Sequence, residues 1–521
     1  MGADSVSGQP TLAHLHGWDG PWEGLRVLVT GFGVTGFSAA DTLAELGCQV
    51  VVVDAAATAK KQDDAATLTT VWGDRLSFRF GSTDPAEDPT ATINHFDGQN
   101  PELIVTSPGW RPDSPIMLAA ASAGVPVWSE VQLARRLGAR PGARQPDWLL
   151  ITGTNGKTTT VTLLEAMLTA AGRRAVACGN IGMPVLDAIR DPEGFDALAV
   201  ELSSFQLHYT EPPGQYEANP LAAAVLNIAE DHVDWHGSLK GYLADKARIY
   251  EGVRSACIYN AEDPVTEQMV AGAEVLEGAR AVAFTTGSPD VSMLGVVRTE
   301  DGEDVLVDRA FLDNRRHQAL ELGTRSDLGQ LVPKHLVANA LAAAALARAA
   351  GVPPEAVQQA LGSYQPAEHR IQPVAQAEDV LWVNDTKATN PHAAAASLSS
   401  FSEVVWIAGG LSKGVDYSEL VQQVAPRLRH VVLIGTDASQ LRSSLERHAP
   451  QVPVTEVPGG DDGVAVMRSA VAAADTQAQP GQAVVLAPAA ASMDQFASYI
   501  ARGEAFIEAV AELMRRKGFN S

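Results

Sequence analysis

Two glycine-rich loops, each set between a short apolar run and a helical pattern, constrain the fold of this 521-residue chain more than any other feature. The first is Gly31-x-Gly33-x-x-Gly36, after the apolar stretch 25–30 and before a helix expected over 35–46; a strand expected over 49–53 then leads into Asp54. The second is Gly153-Thr-Asn-Gly156-Lys157-Thr158-Thr159, between an expected strand at 148–152 and a helix at 157–171. A strand, a glycine turn, a helix and a further strand make a β-α-β unit, which brings a parallel sheet with helices on its faces. Further strands are expected at 102–106, 175–178, 197–201 and 222–227, and again at 380–384, 403–408, 429–434 and 483–487. Helices are expected at 334–350, 354–361 and from about residue 495 onward. The fold class that follows is α/β, with parallel sheets repeated along the chain.

A chain of this length holds about three domains. Linker-like composition at 139–146 and the segment 364–370 place the boundaries, giving domains 1–140, 141–366 and 367–521. Residues 1–22 lack periodicity and are expected to form a poorly ordered tail. The net charge of −24 opposes binding to nucleic acid or anionic membrane, so neither is an expected partner. Residues 336–351 are the nearest approach to a membrane-length apolar run, and Asn339 and Arg348 interrupt them. Cys48, Cys178 and Cys257 show no paired spacing, which fits a reducing cytoplasm and argues against a zinc site. Lysine is scarce: nine residues against 29 arginines. A lysine kept against that bias is a candidate for work arginine cannot do, although 60, 61, 240 and 517 read as surface usage.

Glycine amides at a helix N-terminus bind phosphate. In the second loop Lys157 can reach β- and γ-oxygens and the Thr158 hydroxyl can ligate Mg²⁺. Ile151 stands where the standard eight-residue phosphate loop has its first glycine, so a generic P-loop NTPase is not the best match. The first loop, with Asp54 after the second strand, has the spacing of a dinucleotide fingerprint, yet the same physics suits any ribosyl phosphate. Glu201-Leu-Ser-Ser-Phe-Gln206 and Asn227-Ile-Ala-Glu-Asp-His232-Val-Asp234 put carboxylates and an imidazole at strand C-termini, where ligands bind in parallel sheets.

Gly-Thr-Asn-Gly-Lys-Thr at 153–158, Gly-Asn-Ile-Gly at 179–182, Glu-Leu-Ser-Ser-Phe-Gln at 201–206, Glu-Asp-His-x-Asp at 230–234 and Tyr-Leu-Ala-Asp-Lys-Ala-Arg-Ile-Tyr at 242–250 resemble the ATP-dependent Mur ligases of peptidoglycan precursor synthesis. Ser-Pro-Gly at 107–109, Asn-Asp-Thr-Lys-Ala-Thr-Asn at 384–390 and Ala-Pro-Ala-x-Ala-Ser-x-Asp-Gln-Phe at 487–496 resemble the branch that adds D-glutamate. The resemblance covers roughly residues 25–515. It implies an N-terminal Rossmann-like UDP-binding domain, a central P-loop ATPase-like parallel-sheet domain and a C-terminal Rossmann-like α/β domain. It also implies a cytoplasmic, monomeric enzyme whose substrates are UDP-N-acetylmuramoyl-L-alanine, D-glutamate and ATP, and whose intermediate is an acyl phosphate.

The site residues follow from the same resemblance. Gly153, Thr154, Asn155, Gly156, Lys157, Thr158, Thr159, Asn339, Arg370, Asp385 and Lys387 would hold ATP. Two Mg²⁺ ions would rest on Thr158, Glu201, His232 and Lys246, the last as a carbamate formed from CO₂; Lys157, His232 and Lys246 would be catalytic. Gly33, Val34, Thr35, Gly36, Asp54, Gly109 and Asn180 would face the UDP substrate in place of NAD, and Thr389, Lys413, Ser492 and Tyr499 the glutamate. The third domain would close over the second to exclude water. Leu411 and Tyr499 depart from the family pattern near the glutamate contacts. The competing classes are a nicotinamide-dependent oxidoreductase, which leaves Glu201 and His232 without work, and a nucleotide switch, for which a third α/β domain is superfluous; folate polyglutamylation is the nearest relative in chemistry.

Overall fold

The computed structural model describes residues 12–81, 88–212, 214, 218–329, 332–364, 369–412, 414–460 and 462–519. They divide into two compact units, one from residues 1–330 and 337–364, the other from 331–336 and 365–521.

The first unit contains two sheets. Strands β1 (Arg26–Thr30), β2 (Gln49–Asp54), β3 (Leu76–Phe80), β4 (Leu103–Thr106) and β5 (Val127–Ser129) pair in parallel in the order β3-β2-β1-β4-β5. The switch point between β1 and β4 opens beside the first glycine loop, which is where a doubly wound sheet binds ligands. The second sheet uses β6 (Asp147–Thr152), β7 (Ala175–Gly179), β8 (Ala197–Glu201), β9 (Ala222–Val225), β10 (Ala256–Asn260), β11 (Arg280–Phe284), β12 (Met293–Arg298), β13 (Asp304–Asp308) and β14 (Leu320–Thr324), in the order β14-β13-β12-β11-β10-β9-β6-β8-β7. Strands β6 to β11 are parallel. The expectation of a purely parallel sheet fails at one end, where β12 to β14 form an antiparallel meander. One apolar cluster runs from Leu15 and Trp22 through Val27, Val52 and Trp128 to Leu150, Val200 and Tyr250, so the two sheets share a core.

The second unit has one six-stranded sheet: β15 (Gln372–Ala377), β16 (Val380–Asn384), β17 (Val404–Gly409), β18 (Leu428–Ile434), β19 (Val454–Glu456) and β20 (Ala483–Leu486), in the order β15-β16-β20-β17-β18-β19. Only the β15–β16 hairpin is antiparallel. Alternation along β17 and β18 sends Trp406 and Leu433 into the cluster on one face and Ile407 and Val432 into the cluster on the other. The C-terminal helix Tyr499–Arg516 covers the second face through Phe506, Val510 and Met514. Among the described residues, no helix is long and apolar enough to cross a membrane.

The unstructured tail expected over 1–22 is corrected where it is described. Leu15 and Trp22 are fully buried, the Trp22 indole donates to the Gly17 carbonyl at 2.8 Å, and the Trp18 indole donates to the Gly138 carbonyl at 3.1 Å. Two isolated indoles suffice to bury a segment that has no period, because each one covers a large apolar area. Trp22→Ala should therefore lower unfolding stability by about 3–5 kcal/mol, as for other buried Trp or Phe truncations. Chemical denaturation checks this, and an unpacked residue would cost nothing.

Candidate active site

The first glycine loop is shaped by close approach. A Cβ on Gly36 would lie 1.9 Å from the Gly31 carbonyl oxygen, so only glycine lets the helix Val34–Glu45 start against β1. Gly33 caps that helix with open space around it, and Val34 beside it is 69% exposed; Thr35 is half-buried. Asp54 is engaged inside the loop. Its carboxylate accepts from the amides of Phe32 at 2.6 Å and Ala56 at 2.8 Å and pairs with Lys61 at 2.6 Å. Burial alone would raise its pKa; Lys61 and the two amides outweigh that and hold the carboxyl below its ordinary value. The geometry thus gives Asp54 the work of fixing the turn, and its oxygens are already taken.

The second loop is braced from β9. Asn227 accepts from the Asn155 amide at 2.9 Å and donates to the Asn155 carbonyl at 3.0 Å, while its own carbonyl takes the Thr154 amide. Gly156 has φ +86°, and a Cβ there would strike the Asn339 side chain at 2.3 Å. Asn339 therefore packs directly beneath the loop. The Lys157 ammonium curls over the loop and donates to the carbonyls of Gly153 and Thr154, each at 2.9 Å. Thr158, at the start of the helix Lys157–Ala170, donates to the buried Glu201 carboxylate at 3.0 Å, and Asn180 reaches the other Glu201 oxygen at 3.3 Å. Thr159 is buried behind the loop.

A cavity of about 240 Å³ joins these parts, with Gly109, Lys157, Asn180, Phe205, His232 and Lys246 on its wall. Lys246 is fully buried and donates to the Thr152 hydroxyl at 3.2 Å and the Gly153 carbonyl at 3.0 Å. Burial, with Lys157 nearby, pushes its amine well below the ordinary lysine range, toward the neutral form. His232 holds a left-handed backbone, φ +51°, and packs its ring against Phe205. Burial lowers its pKa, Lys246 and Lys157 adding to the effect against Asp231 and Asp234, which favours the neutral imidazole. Glu201 and the Thr158 hydroxyl offer the oxygen donors that Mg²⁺ prefers.

Three residues beside this site were not singled out in the sequence. Asp245, the neighbour of Lys246, accepts from His208 Nδ1 at 2.9 Å and from His236 Nδ1 at 2.7 Å through the same oxygen. Ser204 completes the chain at 2.9 Å from His236 Nε2. Burial opposes ionisation of Asp245, but the two histidines more than offset it and its pKa is lowered. One carboxylate thereby ties together the helices Ser204–His208, Val233–His236 and Leu239–Ala247, which follow Glu201, follow His232 and carry Lys246. The histidines were legible as polar residues only, because the three helices are too short to show a period.

In the second unit, Arg370 precedes β15, Asp385 follows β16 directly and donates its amide to the Leu486 carbonyl at the end of β20, Lys387 and Thr389 lie on the same loop, and Ser492 and Tyr499 follow β20 in the chain. Asp385 is buried, which raises its pKa to about 6 against the lowering influence of Arg370. Lys387 donates to the Tyr499 hydroxyl at 2.8 Å and sits 4.2 Å from the centre of its ring. Ser492 is buried, and the Thr389 amide donates to the Lys387 carbonyl at 2.8 Å. Lys413 lies outside the described residues. Arg502, unremarked in the sequence, is buried and donates to the Thr386 hydroxyl at 3.0 Å and to the carbonyls of Thr386 and Ala490 at 3.1 Å, pinning the loop that carries Asp385 and Lys387.

Residues 151–347 match the Mur ligase middle domain, and residues 369–490 the Mur ligase, glutamate ligase domain. The UDP-N-acetylmuramoylalanine–D-glutamate ligase of Leifsonia xyli subsp. xyli is 50% identical over 98% of this chain and 96% of its own. The enzyme of the same name from Streptomyces avermitilis is 50% identical over 94% of this chain and 99% of its own. Among solved structures, MurF from Acinetobacter baumannii covers 89% of this chain and 90% of its own with a TM-score of 0.52 at 16% identity. UDP-N-acetylmuramate-alanine ligase MurC from Thermotoga maritima covers 94% of this chain and all of its own with a TM-score of 0.51, also at 16% identity. The three-sheet architecture, the braced phosphate loop and these matches together mean that the chain belongs to the Mur ligase family.

Proposed function

We propose that the chain is an ATP-dependent amide ligase that joins D-glutamate to the L-alanine carboxylate of UDP-N-acetylmuramoyl-L-alanine in the cytoplasm, acting as a monomer. The observation that carries this reading is half-identity along nearly the whole chain to ligases named for that reaction. The cavity that gathers Lys157, Asn180, His232 and Lys246 behind the phosphate loop supplies matching chemistry. The substrate carboxylate attacks the γ-phosphorus of ATP, ADP leaves, and the glutamate amine then displaces phosphate from the acyl phosphate. Lys157 and the loop amides from Gly153 to Thr159 stabilise phosphate charge, and Asn180 meets the substrate near its reacting end. The turn Gly33–Gly36 faces the UDP pyrophosphate, with Asp54 fixing the turn and Gly109 closing the far side. Asn339, Arg370, Asp385 and Lys387 hold the nucleotide, and Thr389, Lys413, Ser492 and Tyr499 the glutamate. The domain divisions after residues 140 and 366 put the UDP turn in the first domain, the phosphate loop in the second and the glutamate contacts in the third, while Asn180, Arg370, Asp385 and Lys387 serve across them.

Thr158, Glu201, His232 and carbamylated Lys246 would hold Mg²⁺, two ions in all, which supply charge neutralisation to the phosphates when bound. The carbamate forms when the neutral Lys246 nitrogen bonds to CO₂ and releases a proton, and burial of the amine favours that neutral form. Asp245 positions the lysine by holding its helix to the two beside it.

Phosphate release measured with UDP-N-acetylmuramoyl-L-alanine, ATP and Mg²⁺ should depend on D-glutamate and fail with L-glutamate, L-lysine or diaminopimelate. Turnover with diaminopimelate but not D-glutamate would refute the reading. Lys246→Arg cannot take up CO₂ and should lose roughly 10²-fold or more in kcat, the scale of removing one electrostatic stabiliser. Near-normal activity of that variant without added bicarbonate, or no carbamate carbon signal from the native protein in ¹³C-bicarbonate, disproves the modification. Asp245→Asn keeps the size of the side chain and an oxygen, but removes the negative charge on which both histidines converge, and so weakens both charge-assisted bonds. It should lower kcat about 10-fold to 10²-fold with little change in the KM for D-glutamate, as expected when catalytic groups shift by an ångström or less; a unchanged kcat would mean that the three helices hold without it.

A further inference from the structure

A second cationic cavity opens in the first unit, away from the phosphate loop. Its volume is about 680 Å³, within the range of small-molecule sites, and Arg280, Arg315, Arg316 and Arg348 line it with Phe311 and Asn314. In a chain of net charge −24, four guanidinium groups on one wall need an explanation. Arg348 has one. It pairs with the fully buried Asp308 at 2.9 Å, and the other Asp308 oxygen accepts the amides of Ala310 and Phe311 at 2.7 and 2.9 Å. The nearest buried acid is therefore used up in building the wall.

The other three arginines have no such partner. Among the described residues no carboxylate forms an ion pair with Arg280, Arg315 or Arg316, and the exposed Asp313 is the one acid lining the cavity. Arg280 stacks 4.7 Å from the centre of the Phe311 ring and donates to the Ala310 carbonyl at 3.0 Å, which fixes its plane. Burial lowers its pKa, and Arg315 adds like-charge repulsion across the cavity. Arg315 and Arg316 sit on an ordered turn, since the amides of His317 and Gln318 both donate to the Asn314 carbonyl at 3.0 Å and Arg309 reaches the Arg316 carbonyl at 3.3 Å. Asp308 offsets part of the charge at Arg280 but is itself paired with Arg348, and like charges held together on braced backbone without an ion-paired acid of their own leave the remainder to a ligand.

We infer that this cavity binds a small anion carrying two or more phosphates, held by the guanidinium groups of Arg280, Arg315 and Arg316. Planar forked donors match phosphate oxygens in pairs, and three of them exceed what one phosphate neutralises. The site is separate from the proposed ATP and UDP sites, and nothing in the ligase reaction requires it.

The test is calorimetry with inorganic tripolyphosphate, in excess Mg²⁺ and with a saturating non-hydrolysable ATP analogue already occupying the phosphate loop. Native protein should bind one equivalent, more tightly than inorganic phosphate. Arg315→Ala/Arg316→Ala should weaken that binding about 10-fold or more, as expected when charge-assisted hydrogen bonds are lost, while melting temperature and ligase turnover stay unchanged. If the double variant misfolds, Arg316→Gln, on an exposed side chain, must still weaken binding about threefold or more. No heat beyond that of the analogue overturns the proposal, as does unaltered affinity in the variants. Sedimentation with phosphatidylglycerol vesicles, if positive where tripolyphosphate fails, overturns it in favour of a membrane surface.

Discussion

Everything at the catalytic end of the first unit is arranged around a buried lysine amine that, among the described residues, hydrogen-bonds a hydroxyl and a carbonyl and no carboxylate. Both acceptors of Lys246 lie at the root of the phosphate loop, and burial of the amine there, with Lys157 nearby, drives its pKa well below the ordinary lysine value. That constraint explains its surroundings. The helix bearing Lys246 is a bare nine residues, Leu239–Ala247, too short to be stable alone. Asp245 anchors it by accepting from two histidines on two other helices, and Tyr242 on the same helix shares a hydrogen bond of 2.9 Å with Thr154 of the loop. The lysine, the loop and His232 are thus one mechanical piece, and a shift in any of them moves the others.

How much of this was legible depends on whether a residue's work is local. Gly36, Gly153 and Gly156 were found from spacing alone because their need is set by backbone conformation and close approach, which a strand-turn-helix pattern already specifies. Lys157 and Thr158 are legible from the glycine loop and Glu201 and His232 from their places at strand ends, and the structure brings them together about one cavity. The network of His208, His236 and Asp245 was missed, since 37 residues separate His208 from Asp245 and no motif spacing encodes a bond between short helices. Asp54 was found for a ribose and turns out to be bonded inside its own loop, because two amides and Lys61 reach it first. The β12–β14 meander and the packing of Trp22 escaped for the same reason: short strands and single indoles carry no period.

The acidity of the chain and the cations of its sites are two sides of one electrostatic arrangement. A net charge of −24 repels anions at long range, but at physiological ionic strength that repulsion fades over about 8 Å. Inside a cleft, close cations on low-dielectric walls decide the local potential instead. The sites that must take phosphates accordingly concentrate their positives: lysines and amides at the phosphate loop, arginines at the cavity beside β13. The overall acidity then leaves the potential inside the clefts to those local cations.

The division of labour between lysine and arginine follows from shape. Where the structure uses lysine, the ammonium meets acceptors in a small space: two loop carbonyls at Lys157, a hydroxyl and a carbonyl at Lys246, one buried carboxylate at Lys61. A guanidinium at Lys246 could neither lose its charge nor add CO₂. Lys61 reads in the sequence as an ordinary surface lysine, yet it braces Asp54; Lys517 is the surface lysine it reads as, bridging Glu378 at 2.8 Å and Asp475 at 2.5 Å. Where arginine is used, at Arg502 and Arg348, several acceptors in different directions are bound by one side chain. An arginine-biased chain therefore keeps lysine where a compact charge, or its absence, is what the chemistry needs.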